Sequence, residues 1–349
     1  MTDLAIGIIG LGQMGANHFN VWTRVDGANV IAVADPDPAR HEKVLLGFPD
    51  VARHTDWHDL IARGDLDAVC VVSPSPTHAE VAIAALEAGL HVLIEKPIAT
   101  TVEDAIRVAD AGEKAGKLVM VGHVERFNQA AIKLKALIAD GRLGKLFRVH
   151  ATRVGPLPQR ITDTGVTLDL ATHDVDLMSW ITDRPITEVT AHYAQYLHSS
   201  QEDLVQAMLS FGDDGPLGLL DVNWLTPEKR RELVVIGEGG VLRASLLTQD
   251  VFYVGSQGIR VEWDALATLR GPAEGEMIRF AIPKSEPLRG ELEAFRDAIL
   301  AGGPSPVPAM EGARALATVL AIRESALHRA PRRPITESIA SVEAAADHR

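Results

Sequence analysis

Leu4-Ala5-Ile6-Gly7-Ile8-Ile9-Gly10-Leu11-Gly12-Gln13-Met14-Gly15 opens the chain with a short β-prone run that passes directly into three spaced glycines. A strand, a tight turn and the start of a helix fit this order. Gly10 permits the turn, Gly12 lets the backbone approach a pyrophosphate, and Gly15 lets the helix pack on the strand. Gln13 and Met14 stand at the helix start, where oriented N–H groups suit phosphate oxygens. A glycine triplet alone is a common turn; the acid that follows makes this one specific. Asp35 ends the second predicted strand, 20 residues past Gly15, where a carboxylate accepts the ribose hydroxyls of a dinucleotide. It would repel a 2′-phosphate, and Asp35-Pro36-Asp37-Pro38 brings no cation before Arg40. NAD is therefore the expected cofactor.

Working outward, predicted strands at Leu4–Ile9, Val30–Ala34, Ala68–Val72, His91–Ile94 and Leu118–Val121 alternate with helical patterns such as Ala79–Ala88 and Val102–Ala115. Alternation of this size implies a doubly wound parallel sheet with right-handed crossovers, here a Rossmann α/β domain over residues 1–122. From about residue 145 the pattern changes. Leu146–Arg153, Glu188–Tyr196, Leu204–Phe211, Gly218–Trp224, Arg231–Ile236 and Asp250–Val254 read as strands, mostly without helices between them. A second α+β domain, residues 123–349, is expected, with an open and mostly antiparallel sheet closed by helices at Leu288–Ala301 and Met310–His328. The tail 331–349 stays unassigned.

The 349 residues suit two domains, and 46% hydrophobic against 23% charged residues is a globular balance. A net charge of −13 argues against a general nucleic-acid binder. Cys70 is the single cysteine, which excludes an internal disulfide and a Cys-rich zinc site, and its apolar neighbours make it a core thiol. No metal is expected. No apolar run approaches the roughly 18 residues of a membrane span, and the start lacks a basic leader, so the cytoplasm is the expected address.

Three further motifs carry chemistry. Ser73-Pro74-Ser75-Pro76-Thr77-His78 follows the third strand. Glu95-Lys96-Pro97 ends the fourth, on the side of the sheet where ligands bind. Asp169-Leu170-Ala171-Thr172-His173 lies in a helical pattern, Val166–Ile181, that sets Asp169 and His173 at i and i+4 on one face. A carboxylate beside a histidine orients the ring as a general base requires. Asp174 and Asp176 read as polar or capping residues.

With the glycine turn, these motifs resemble the glucose–fructose oxidoreductase and inositol dehydrogenase family (Gfo/Idh/MocA) over about residues 4–330. The resemblance implies that Lys96, Asp169 and His173 form a catalytic group. It also implies that Ser73, Pro74, Ser75 and His78 flank the nicotinamide side of the cofactor, with Glu95 and Lys96 adjoining. Gly122-His123-Val124-Glu125-Arg126-Phe127-Asn128 and Arg153-Val154-Gly155-Pro156-Leu157-Pro158 are similar to the branch of UDP-N-acetylglucosamine 3-dehydrogenases. That branch often has Pro after the Asn, where this chain has Gln129.

Charge supports an anionic substrate. Between His123 and Ile161, Arg126, Lys133, Lys135, Arg142, Lys145, Arg148, Arg153 and Arg160 face only Glu125 and Asp140, a local +6. His123, Arg126, Arg153 and Arg160 join Lys96, Asp169 and His173 as candidate substrate contacts. The expected reaction is NAD-dependent oxidation of a secondary alcohol on a sugar ring, carbon 3 of UDP-N-acetylglucosamine in the first place. An inositol or free-sugar dehydrogenase, a UDP-sugar acid dehydrogenase and a catalytically silent dinucleotide sensor are the alternatives. Apolar excess in Gly218–Leu225 and the resemblance together imply a homodimer or homotetramer.

Overall fold

Six short runs of buried, largely β-branched or aliphatic residues build the first sheet of the computed structural model, which describes residues 3–158, 164–198, 200–258 and 275–335. They are β1 (Leu4–Ile9), β2 (Ala28–Ala34), β3 (Ala52–His54), β4 (Ala68–Val71), β5 (His91–Glu95) and β6 (Val119–Gly122). All pair in parallel, in the order β3-β2-β1-β4-β5-β6. The order reverses between β1 and β4, so a crevice opens at the carboxyl ends of those strands. Helices α1 (Gln13–Trp22), α2 (Pro38–Val44), α3 (Trp57–Ile61), α4 (His78–Glu87) and α5 (Val102–Ala115) form the crossovers. The α5 boundaries follow from sequence chemistry: the Thr101 hydroxyl accepts the Asp104 N–H at 3.1 Å, and Gly116 ends the helix at φ +60°.

The second sheet has eight strands: β7 (Leu146–Pro156), β8 (Glu188–Ala194), β9 (Leu204–Ser210), β10 (Leu217–Asn223), β11 (Leu225–Gly237), β12 (Gly240–Ser245), β13 (Asp250–Gly258) and β14 (Gly275–Phe280). Their order is β14-β13-β12-β11-β7-β10-β9-β8, antiparallel except where β7 and β10 run in parallel. One face, with Val149, Ala151, Leu220, Val222, Leu233, Val235, Leu242 and Ala244, is buried. Helix α6 (Gln129–Ala139) packs on β12 and α7 (Thr172–Thr182) on β7.

Two units result among the described residues: 3–124 with 286–317, and 125–285 with 318–334. Helix α8 (Pro287–Ala301) thus belongs with the parallel sheet, and α9 (Ala309–His328) is shared between the units. The expectation set a single boundary at 122, with residues 331–349 of the second part unassigned. An amphipathic pattern reports that a helix has a buried face, not which sheet receives it. Here Leu288, Leu292 and Phe295 are buried as α8 packs on α1, and Arg296 donates to the Asp26 carbonyl at 2.7 Å. No helix among the described residues is long and apolar enough to cross a membrane.

Candidate functional site

The glycine turn has the form that a pyrophosphate requires. Gly10 sits at φ +96°, and a Cβ there would meet the Val72 carbonyl oxygen at 2.6 Å. A Cβ on Gly15 would fall on the Gly10 carbonyl oxygen, so helix and turn approach this closely only because residue 15 is glycine. Gly12 caps α1 without any side-chain cap, and a Cβ there would meet nothing within 4 Å. The N–H groups of the first turn, at Gln13 and Met14, are therefore left for a ligand. This cradle fits a dinucleotide.

Asp35 is buried, and its carboxylate is held by groups of the chain itself. Oδ2 accepts the Leu11 N–H at 2.7 Å, and Oδ1 accepts the Asp37 N–H at 2.9 Å. Arg40 Nη1 also donates to Oδ2 at 3.1 Å, while its side chain stays half exposed. Asp35 therefore holds the glycine turn and neutralises the nearest cation, which strengthens the preference for a ribose without a 2′-phosphate.

Ser73–His78 forms a short turn at the end of β4. The Ser73 and Thr77 hydroxyls share a 2.7 Å hydrogen bond, and Pro74 and Ser75 lead the 3₁₀ turn Ser75–Thr77. His78 is buried and spans two loops, with Nε2 2.8 Å from the Ser73 carbonyl and Nδ1 2.8 Å from that of Pro97. It holds the Lys96–Pro97 loop against the Ser73 turn. Lys96 is half-buried at the end of β5, its backbone N–H bonded to Glu95 Oε2 at 3.1 Å. His123, immediately after β6, is buried.

In the second unit Asp169 and His173 are both partly exposed, but the helix bearing them is not regular. Thr167–Ala171 is a π-helical turn that passes into α7. Asp169 lies inside the π-turn and His173 just beyond it, in the first turn of α7. π-turns of this kind concentrate at functional sites.

Arg126 and Arg153 lie inside this unit, in ion pairs, rather than on its surface. Arg126 Nε and Nη2 donate to the two Asp176 oxygens at 2.8 and 2.5 Å. Arg153 donates to both Asp174 oxygens at 2.9 and 3.0 Å, and to Glu125 at 2.8 Å. Burial opposes ionisation of Glu125, but the adjacent Arg153 guanidinium outweighs it and holds the carboxyl below its usual range. The two aspartates read as polar or capping residues are thus the counter-ions of the two arginines. Arg160 lies outside the described residues. Sequence reasoning passed over Arg231, whose side chain is 33% exposed and 3.4 Å from Glu125. Burial and then the like charge of Arg153 lower its pKa, against the opposing charges of Glu125, Asp174 and, last, Asp169. Nothing in its strand pattern separates it from Arg230.

Residues 4–123 match the oxidoreductase family with an NAD-binding Rossmann fold, and residues 131–243 match the GFO/IDH/MocA C-terminal domain. The chain belongs to the Gfo/Idh/MocA family. Its first unit is the family's NAD-binding domain, as the glycine turn and Asp35 require. Among curated relatives, inositol 2-dehydrogenase 2 of Saccharopolyspora erythraea is 37% identical over 190 residues, 54% of this chain and 56% of the relative. An inositol 2-dehydrogenase of Streptomyces avermitilis is 31% identical over 225 residues, 64% of this chain and 66% of the relative. The chain thus spans little more than half the length of most curated relatives that it matches. Among solved structures, UDP-N-acetylglucosamine 3-dehydrogenase GnnA of Acidithiobacillus ferrooxidans superposes with a TM-score of 0.82 at 24% identity, covering 93% of this chain and 98% of that one. At that identity the likeness is one of fold.

Proposed function

We propose that this Gfo/Idh/MocA protein is an NAD-dependent dehydrogenase that oxidises a secondary alcohol on a sugar or cyclitol ring. The observation that carries the reading is the position of Lys96. It stands at the carboxyl end of β5, on the same edge of the parallel sheet as the Gly10–Gly15 turn and Asp35. Gly10, Gly12, Gln13, Met14, Gly15 and Asp35 would hold NAD, with Ser73, Pro74, Ser75, His78 and Glu95 shaping the nicotinamide side. When bound, NAD supplies the hydride acceptor.

The chain's own groups then manage the proton. His173 removes the hydroxyl proton, Lys96 polarises the same oxygen, and Asp169 orients the ring. Lys96 as base with His173 polarising is the reverse assignment, and the order is not fixed by residue type.

Carbon 3 of UDP-N-acetylglucosamine is the substrate favoured by the likeness of Gly122–Asn128 and Arg153–Pro158 to that branch. With Arg126 and Arg153 committed to buried carboxylates, the diphosphate contact falls to Arg231 and Arg160. A second reading, a cyclitol such as inositol, is favoured by the inositol 2-dehydrogenase relatives and by that same internal pairing of two arginines. The test is NADH formation on mixing protein and NAD with UDP-N-acetylglucosamine, its uronic acid, myo-inositol and glucose. Turnover of the first is expected. Turnover of inositol alone selects the second reading, and none with any of them at substrate levels removes both.

A further inference from the structure

His18 on α1, Glu95 on β5 and Glu291 on α8 form a buried cluster that the proposed reaction does not use. His18 and Glu291 have 0% exposure and Glu95 7%. One nitrogen or oxygen from each lies within 4.8 Å of the others. His18 Nε2 is 2.9 Å from Glu95 Oε1, and Glu95 Oε2 accepts the Lys96 N–H. Glu291 has no such support: among the described residues neither of its oxygens has a hydrogen-bond partner.

Two carboxylates this close in a dry site cannot both keep a charge, since burial and mutual repulsion penalise the ionised pair. The surroundings decide which keeps the proton. Around the pair are His18 from α1, Cys70 from β4, which accepts the Trp22 indole N–H, and Lys96 just past β5; Arg289 and Glu293 pair with each other on the outer side of α8. Cys70 is neutral, since burial pushes its thiol up to about 12. The donors converge on Glu95. Burial opposes its charge, but His18 and Lys96 outweigh burial and hold its carboxyl below the usual range. Burial and then the Glu95 charge hold Glu291 well above that range.

We propose that Glu291 is a positioning residue that keeps its carboxyl proton at neutral pH, and that this proton, directed at Glu95 through one water, fixes the carboxylate carrying the Lys96 backbone. A divalent cation is the competing occupant. The 2.9 Å His18–Glu95 separation is that of a hydrogen bond, and a cation would need all three ligands near 2.0–2.2 Å from one centre.

The charge state is tested without substrate, so it stands or falls apart from the sugar reading; only its effect on turnover rests on the role given to Lys96. The infrared difference between the parent and Glu291→Gln at pH 7 is expected to contain the carbonyl stretch of a protonated carboxylic acid. A group with a raised folded pKa loses stability as pH rises from its unfolded value to its folded one. Across that window the parent's unfolding constant should grow relative to that of Glu291→Gln, by up to about tenfold per pH unit. The Gln variant should keep turnover at pH 7 and lack any alkaline loss of kcat that tracks this titration. Should the variant not fold, titrating the parent alone must show the acid band persisting above the usual carboxylate range. The proposal is overturned by absence of that band, by parallel pH–stability curves, or by one equivalent of divalent metal whose chelation destabilises the parent.

Discussion

Asp35 holds the fold locally, and the proposed reading gives the same side chain a part in cofactor choice. It accepts the Leu11 and Asp37 N–H groups, each charge-assisted bond contributing roughly 1.5–3 kcal/mol, and it holds the half-exposed Arg40 more weakly. Asp35→Ser should weaken NAD binding and also release Arg40 toward a 2′-phosphate, so the preference over NADP should narrow. Titration with both cofactors checks this, and unchanged NAD affinity would refute the assignment. The residues proposed to handle the proton call for a different experiment. Lys96→Met keeps the stem without the charge, and His173→Asn keeps a hydrogen bond without the base. Each should lower kcat by about 10²–10⁴-fold while NAD still binds. If both act on one hydroxyl, the double variant should be little worse than the worse single. Either single variant within about threefold of the parent would end the assignment.

At the scale of elements, the ion network of the second unit tests what holds the π-turn helix to its sheet. Asp174→Ala leaves the Arg153 guanidinium buried beside Glu125 without its bidentate partner, and should cost about 3–5 kcal/mol in urea unfolding. Adding Arg153→Met should not restore the loss in full, because buried Glu125 then loses the guanidinium that keeps it ionised. A loss below about 1 kcal/mol for the single variant would mean that the pair is dispensable. The same network marks where the sequence ran out. The run from His123 to Ile161 reads as a positive field because its counter-ions are distant in sequence: Asp174, Asp176 and Asp183 meet Arg153, Arg126 and Lys135 across 21 to 50 residues. The glycine turn, by contrast, was legible because every group that defines it is local. Three strands escaped notice for physical reasons. Ala52–His54 has only three residues, Gly240–Ser245 begins inside a glycine turn signal, and Gly275–Phe280 is a largely exposed edge strand. The parallel pairing of β7 with β10 has no sequence signature at all.

For the whole molecule, alternation along β9, β10, β11 and β12 sorts apolar side chains onto both faces of the second sheet. Leu220, Val222 and Trp224 fill the core, which leaves Leu217 and Leu219 of the same segment on the opposite face. Leu219 lies beside Met208; β7 adds His150 and Arg148 to that face, and beyond them it is apolar again at Val234, Ile236 and Val241. Met208 is 51% and Leu217 49% exposed, which a lone unit in water has no reason to tolerate across several adjacent strands. We expect two copies to cover this face together, at about 800 Å² or more per partner. Light scattering at micromolar concentration should give a dimer or tetramer. Leu219→Asp places a charge at the centre of the patch and should shift the protein to monomer. NAD affinity should be unchanged, since the glycine turn and Asp35 belong to the other unit. A monomeric parent would refute the interface, whereas a dimeric Leu219→Asp variant would move it to another surface.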